Sequence, residues 1–151
     1  MSVKQKYLKD ENGEIFSPIT SASSVVLGGG GTVEDRMSDT GWIKIPLEDG
    51  FEQFISSHET GMYRVIGNKV YLKGCIKYTK GTLSNILIAI MPKEYAPTKH
   101  LIFQQYVQDN IIASIVIYGR VDDANAGKLI FRDSIPQNHY FVLDGMSWFI
   151  D

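Results

Sequence analysis

Apolar and polar residues alternate along most of the chain after residue 41. Gly, Pro, Asn and Asp interrupt this alternation about every ten residues. Alternation places successive side chains on opposite faces of a strand, and frequent turns keep the strands short, as in sandwiches and barrels. The pattern predicts an all-β domain over 41–151, an antiparallel, jelly-roll-like β-sandwich. Its predicted strands are 42–46, 51–56, 62–66, 69–79, 83–91, 100–107, 111–118, 128–132, 140–143 and 146–150.

One hairpin can be predicted in register. Gly67-Asn68 suits a two-residue turn, which places Val65 opposite Val70 and Tyr63 opposite Leu72. These apolar residues then share one face, so the hydrophobic pattern and the turn agree on the register. The opposite face collects Arg64, Lys69, Tyr71, Lys73 and Lys77.

A second two-residue turn is predicted at Asp144-Gly145, close to the end of the sequence. It predicts a terminal hairpin with Phe141 opposite Trp148 and Tyr140 opposite Phe149. Aromatic pairs of this kind stabilise a sheet by about 0.2 to 1 kcal/mol each.

Residues 1–40 differ from the rest, because they are rich in Lys, Asp, Glu, Ser and Gly and have few apolar positions. They are predicted to form an extended arm and not part of the core. Turn-forming residues at 10–13 predict a small hairpin, and the glycines at 28–31 predict a flexible joint. The segment 32–39 begins with an N-capping Thr followed by acidic residues, which predicts a short helix.

The runs 86–91 and 111–117 are apolar on both faces. A two-layer sandwich leaves one face of each sheet in water, so the second face is predicted to be buried between copies of the chain. The alternative is that loops of the same chain cover these strands. The predicted interface residues are Ile86, Leu87, Ile88, Ile90, Ile111, Ile115 and Ile117.

Charge and composition narrow the classes of partner. The net charge is −2, with both signs scattered along the chain, so neither nucleic acid nor an anionic membrane is an expected partner. The apolar runs fall short of the roughly 20 residues that span a bilayer, and the first residues do not resemble a signal peptide. Synthesis in a cytosol is therefore expected. The single cysteine, Cys75, is predicted to be a core residue.

The sequence offers little for catalysis. His58, His100 and His139 are far apart in sequence, and neither an HExxH nor a GxSxG motif occurs. We therefore expect no enzyme, no metal and no cofactor. The alternative is a small glycan-degrading enzyme, because Asp122 or Asp123 could approach Asp133 across a hairpin as paired carboxylates.

Two polar loops are candidates for binding sugars, which proteins hold by carboxylate and amide hydrogen bonds above aromatic rings. Ordinary solvated turns are the simpler explanation of both loops. The candidate glycan-binding residues are Arg120, Asp122, Asp123 and Asn125 in one loop, and His139 and Tyr140 in the other.

Several motifs resemble those of known virion appendages. YLKDENGEIFSPITSASSVVLGGGGTVEDRM, with its LKDENGE opening and GGTVEDR joint, resembles the N-terminal region of tail-fibre, baseplate and head-fibre proteins from phages of Gram-positive bacteria. DTGWIKIPLEDGF, YRVIGNKVYLKGCI and IMPKEYAP are similar to the C-terminal β-domains of such appendages.

The resemblance implies a homotrimer, made in the host bacterial cytoplasm and located in the virion. Residues 1–40 would attach it to other phage structural proteins, and the β-domain would contact host polymers such as teichoic acid or polysaccharide. The resemblance implies no catalytic residues. The chain is shorter than most tail fibres, so a head-fibre or capsid decoration protein that binds only phage proteins is the alternative.

Overall fold

A computed structural model describes the strands at 8–9 and 15–16 and residues 38–54, 57–81 and 84–150. The chain divides into two units, Met1–Met37 and Ser38–Asp151. In the first unit, β1 (Leu8–Lys9) pairs antiparallel with β2 (Ile15–Phe16). This pairing is the one expected of a hairpin around 10–13. The predicted joint at 28–31 and most of the predicted helix at 32–39 lie outside the described residues.

The second unit is built of short antiparallel strands, which confirms the all-β, antiparallel sandwich. Each predicted strand contains an observed one, and 69–79 is divided in two. The strands are β3 (Ile43–Lys44), β4 (Phe51–Gln53), β5 (Met62–Ile66), β6 (Lys69–Lys73), β7 (Cys75–Tyr78), β8 (Ile86–Ile90), β9 (Leu101–Val107), β10 (Ile111–Ile117), β11 (Lys128–Phe131), β12 (Tyr140–Val142) and β13 (Ser147–Phe149). A single 3-10 turn, Lys93–Tyr95, lies between β8 and β9.

Two sheets form the layers. The larger has seven strands in the order β4-β7-β12-β9-β10-β11-β8, and the smaller has four in the order β13-β6-β5-β3. The larger sheet is nearly closed, because Leu47 bridges Ala89 on β8 shortly before the chain enters β4 at the opposite edge. The Glu48 N–H also donates to the Ile88 carbonyl at 2.8 Å.

Aromatic rings fill much of the core. Phe131 and Phe51 both pack edge-on against Phe141, with centroid distances of 4.7 Å and 6.0 Å. Such edge-to-face pairs add about 0.5 to 1.5 kcal/mol beyond the burial of their surface. The buried Trp148 donates its indole N–H to the Tyr95 carbonyl at 2.7 Å, which satisfies its polar atom. Cys75 is buried as predicted, and burial raises the pKa of its thiol.

The hairpin at Gly67-Asn68 has the predicted register. Val65 lies opposite Val70 and Tyr63 opposite Leu72. All four side chains are buried, so one face of β5 and β6 packs into the core as the sequence pattern indicated.

The predicted terminal hairpin is wrong. The turn at Asp144-Gly145 forms, but β12 pairs with β7 and β9 in the larger sheet while β13 pairs with β6 in the smaller one. Phe141 therefore lies opposite Ile76 and Val107 instead of Trp148.

Gly74 explains this divergence. It separates β6 from β7 with a φ of +90°, so the chain passes from one sheet to the other at this residue. Asp144 Oδ1 accepts the Gly74 N–H at 2.9 Å, and the Gly74 carbonyl accepts the Leu143 N–H at 2.8 Å. The crossings from β6 to β7 and from β12 to β13 are thereby joined at one corner.

Substitution of Gly74 tests this corner. A Cβ there would lie 2.0 Å from the Thr60 carbonyl oxygen, so Gly74→Ala combines a backbone clash with strain at positive φ. We expect a loss of about 3 kcal/mol or more in the free energy of unfolding, measured by urea denaturation. The matched control is Gly145→Ala, at φ +87° with nothing within 4 Å, which should cost about 1 kcal/mol. Equal losses in the two variants would contradict the role of the corner.

An ion pair fixes the segment that enters the sandwich. The Arg64 Nε–H donates to Asp39 Oδ1 at 2.8 Å, and a second guanidinium nitrogen contacts Asp39 Oδ2. The Thr40 N–H donates to the Val65 carbonyl at 3.0 Å. The hydrogen bond from Arg64 is the main cause that lowers the pKa of Asp39 from 3.8 to about 2, and the Gly41 N–H adds to it.

This ion pair predicts a specific acid sensitivity. Because the pKa of Asp39 is lower in the folded chain, its stabilising effect is complete above about pH 4 and is lost as the pH falls through about 2. Asp39→Asn should therefore flatten the dependence of unfolding free energy on pH across that window, as measured by urea denaturation at several pH values. Arg64→Gln should flatten it less, because the Gly41 N–H still lowers the pKa of Asp39, and the double variant should behave like Asp39→Asn. A parental pH dependence in both single variants would exclude this role.

Candidate functional site

The loop that carries four of the predicted glycan-binding residues joins β10 to β11 and packs against residues 97–100. The Arg120 N–H donates to the Pro97 carbonyl at 2.8 Å, and the Val121 N–H donates to the Thr98 carbonyl at 3.0 Å. Gly119 allows this approach, because a Cβ there would lie 2.3 Å from the carbonyl carbon of Lys99. The two segments therefore form one continuous wall.

Three of the four predicted residues are engaged in contacts that fix the loop or tie it to the 3-10 turn. Asn125 donates to Asp122 Oδ2 at 2.8 Å and accepts from the Lys128 ammonium at 2.7 Å. Asp123 forms an ion pair with Lys93. The fourth, Arg120, is half-buried with its guanidinium 3.5 Å from the Thr98 hydroxyl. Arg120 is thus the member of this group that contacts Thr98, a residue that lines a ligand-sized space.

That space is an open groove of about 640 Å³, within the size range of small-ligand sites. Its lining combines apolar surface, two hydroxyl groups and one ammonium group. Phe149 is 54% exposed, whereas Trp148 is buried. The lining residues are Pro97, Thr98, Lys99, Leu101, Ser147, Trp148 and Phe149.

The groove runs along an outer strand. β13 pairs with β6 on one side only. The Met146 carbonyl accepts from Leu72, and the Ile150 N–H donates to Asn68, both at 2.9 Å. Because hydrogen-bonding direction alternates along an antiparallel strand, the backbone groups of Ser147 and Phe149 point away from β6. The groove therefore offers main-chain donors and acceptors beside an exposed ring, which is a combination suited to sugars.

The second predicted site is an aromatic and acidic cluster. His139 Nε2 lies 3.0 Å from Asp109 Oδ2, and its Nδ1 lies 3.1 Å from the Gln137 carbonyl. Tyr140 stacks on Phe54 with ring centroids 4.8 Å apart and 10° between the planes. His58 packs against both of these rings. Sequence reasoning missed Phe54, His58 and Asp109, because they come from separate strands and turns.

The two predicted sites are not brought together. The β9–β10 hairpin pairs Leu101 with Ile117 next to the Arg120 loop, and Val107 with Ile111 next to His139. Seven residues of strand separate these ends, which is roughly 20 Å. Each site must therefore be considered separately.

The paired carboxylates of a glycan-degrading enzyme are also kept apart. Asp122 lies in the loop before β11, whereas Asp133 lies after β11 and accepts the Ser114 N–H at 2.6 Å. Asp123 is engaged by Lys93 at the surface. The approach of Asp133 to Asp122 or Asp123 that was predicted as an alternative does not occur.

Comparison with known proteins concerns the fold. The structure is similar to the crystal structure of the receptor binding protein (gp15) of Listeria phage PSA, with a TM-score of 0.58 and 16% sequence identity. The match covers 78% of this chain and 68% of that chain. No family model and no curated protein matches the sequence. The described part of this chain thus has a fold found in a phage receptor-binding protein.

Three predicted interface residues belong to the core of a single chain. Ile88, Ile115 and Ile117 each have 0% of their surface exposed. The premise that a second copy must cover these side chains is therefore wrong, because the chain's own layers enclose them. Of the other predicted interface residues, Ile86, Leu87 and Ile111 are half-buried and Ile90 is exposed.

Exposed apolar side chains lie at an alternate position of β10 and on the neighbouring β9. Ile102 is 66% exposed and Ile112 is 68% exposed, both on the outer face of the larger sheet. Tyr106 lies opposite Ile112 and is 42% exposed. The sequence pattern could not separate Ile112 from the core, because both faces of 111–117 are apolar. Among the described residues, no helix is long and apolar enough to cross a membrane.

Proposed function

We propose that this protein is a structural component of a phage virion, a trimeric tail or baseplate appendage that binds glycan on the host cell surface. The observation that carries the proposal is the likeness of its fold to a phage receptor-binding protein over 78% of the chain. The residues 1–40 would attach it to other phage proteins, and the β-sandwich would meet the host.

The groove beside Arg120 is the proposed glycan site. A pyranose ring can place its C–H face against the exposed ring of Phe149 while its hydroxyls bond to Thr98, Ser147 and the free edge of β13. Lys99 and Arg120 would bind charged or polar substituents at the rim. A site of this openness binds one sugar weakly, so three linked copies would supply affinity through high effective concentration.

Cell-wall binding tests the function. Labelled full-length protein should decorate Gram-positive cell walls in a panel that includes Listeria, measured by fluorescence microscopy and by depletion from solution. Arg120→Gln should weaken this binding about fivefold, because it removes a charged hydrogen-bond donor at the rim. The control is Lys80→Gln, whose ammonium pairs with Asp49 away from the groove and whose loss should leave binding unchanged.

The absence of binding to every wall in the panel would contradict the proposal. It would favour the alternative, a head-fibre or capsid decoration protein that contacts only other phage proteins.

Oligomeric state tests the threefold assembly. Multi-angle light scattering should give three times the mass of the 16.9 kDa chain. Ile112→Glu, which places a charge on the apolar outer face of β10, should shift the mass toward one copy. Val121→Glu is the matched control, since Val121 is 70% exposed on the β10–β11 loop and should not affect assembly. A single copy in the parent protein at micromolar concentration would overturn the trimer.

A further inference from the structure

The outer face of the four-stranded sheet is unusual in its side chains. On β5, β6 and β13 the residues Tyr63, Val70 and Trp148 are buried, so their neighbours along each strand point outward. Most of the outward side chains are rings or cations, and Met62, Ile66 and Ser147 also point outward. This surface, called here the basic-aromatic face, consists of Trp42, Lys44, Arg64, Lys69, Tyr71, Lys73 and Phe149.

Cations lie directly over rings on this face. The Lys69 ammonium is 4.9 Å from the centroid of Tyr71 and 5.3 Å from that of Phe149. The Lys73 ammonium is 4.6 Å from the Trp42 ring, and the Arg64 guanidinium carbon is 5.8 Å from it. Every cation–π contact formed by the described residues is on this face, so the rings and positive charges are interleaved across all four strands.

The face carries more positive than negative charge. Arg64 pairs with Asp39, and Lys73 pairs with Glu59. Within the part of the chain that the structure describes, Lys44 and Lys69 have no carboxylate partner. The chain as a whole has a net charge of −2, so the positive surplus is local.

The basic-aromatic face continues into the groove. Phe149 belongs to both surfaces, with Lys69 on one side of it and the groove residue Lys99 on the other. Adjacent strands are about 4.8 Å apart, so the face extends the groove over the width of four strands. This surface is long enough for several units of a linear polymer.

We infer that the basic-aromatic face binds an anionic polysaccharide, as the continuation of the groove. The inference rests on the proposed glycan binding and adds the charge and the path of the ligand. Exposed rings such as Phe149 and Trp42 favour the C–H faces of sugars. The ammonium groups, above all that of Lys69, would bind phosphate or carboxylate groups along the chain. A neutral glycan would leave these cations unused, and a simple polyanion would leave the rings unused.

Binding to purified polymers tests this inference. The protein is titrated by biolayer interferometry against four immobilised polymers: a polyol-phosphate wall polymer, polygalacturonate, dextran and single-stranded DNA. The expected result is binding to one or both of the first two polymers about tenfold more tightly than to dextran or DNA. The first polymer presents phosphate and the second presents carboxylate. The polymer with the higher affinity therefore identifies the anionic group that the face prefers.

Two variants locate the site. Lys69→Gln and Phe149→Ala should each weaken binding to the preferred polymer about five- to tenfold, because each removes one partner of the interleaved set. Lys80→Gln is the control and should bind like the parent. Phe149 and Lys69 are surface residues, and circular dichroism with urea denaturation verifies that both variants fold. Lys69→Arg should retain most of the affinity.

The outcomes separate this inference from the proposed function. If the protein decorates cell walls but Lys69→Gln and Phe149→Ala bind the polymers as tightly as the parent, the inference is overturned and the proposed function stands. Equal binding to dextran, or equal binding to DNA, would also overturn it. Selective polymer binding that depends on Lys69 and Phe149 would support it, even if no cell wall in the panel were decorated.

Discussion

The contact between Gly74 and Asp144 holds the two sheets together at the point where the chain changes layers. The chain passes between the two sheets twice at this point, from β6 to β7 and from β12 to β13. The Asp144 carboxylate accepts the Gly74 N–H, and the Gly74 carbonyl accepts the Leu143 N–H. A side chain at residue 74 would collide with the Thr60 backbone, so glycine is the residue that allows the crossing.

This crossing also creates the groove. Because β13 leaves β12 and joins β6, it becomes an outer strand with one free hydrogen-bonding edge. The segment 97–100 lies beside that edge, held by the β10–β11 loop through Arg120 and Val121. Had β12 and β13 formed a simple hairpin, Phe149 would have paired with Tyr140 and would not line the groove. The same placement puts Phe149 beside Lys69 and joins the groove to the basic-aromatic face.

The candidate site could be predicted only in part. The polar loop at Arg120 was identified from its composition, yet most of its polar groups serve the loop itself, because Asn125 lies between Asp122 and Lys128. The lining at Thr98, Ser147 and Phe149 was not predicted. These residues are distant in sequence and have ordinary side chains, so only the pairing of β13 with β6 brings them near one another. The interface prediction failed at Ile88, Ile115 and Ile117 for a related reason, since a run that is apolar on both faces does not show which face turns inward.

The sequence by itself determined the fold class, the positions of the strands and the hairpin at Gly67-Asn68. These depend on local properties: alternation of side chains, turn residues and the register that a two-residue loop imposes. Only the tertiary structure decided which strands share a sheet, which face of β10 is buried and where a ligand-sized groove lies. Those features depend on contacts between residues far apart in the chain. The clearest example is the hydrogen bond from the Gly74 N–H to the Asp144 carboxylate. The turn at Asp144-Gly145 locally favours a hairpin, but with this contact it directs β13 into the other sheet.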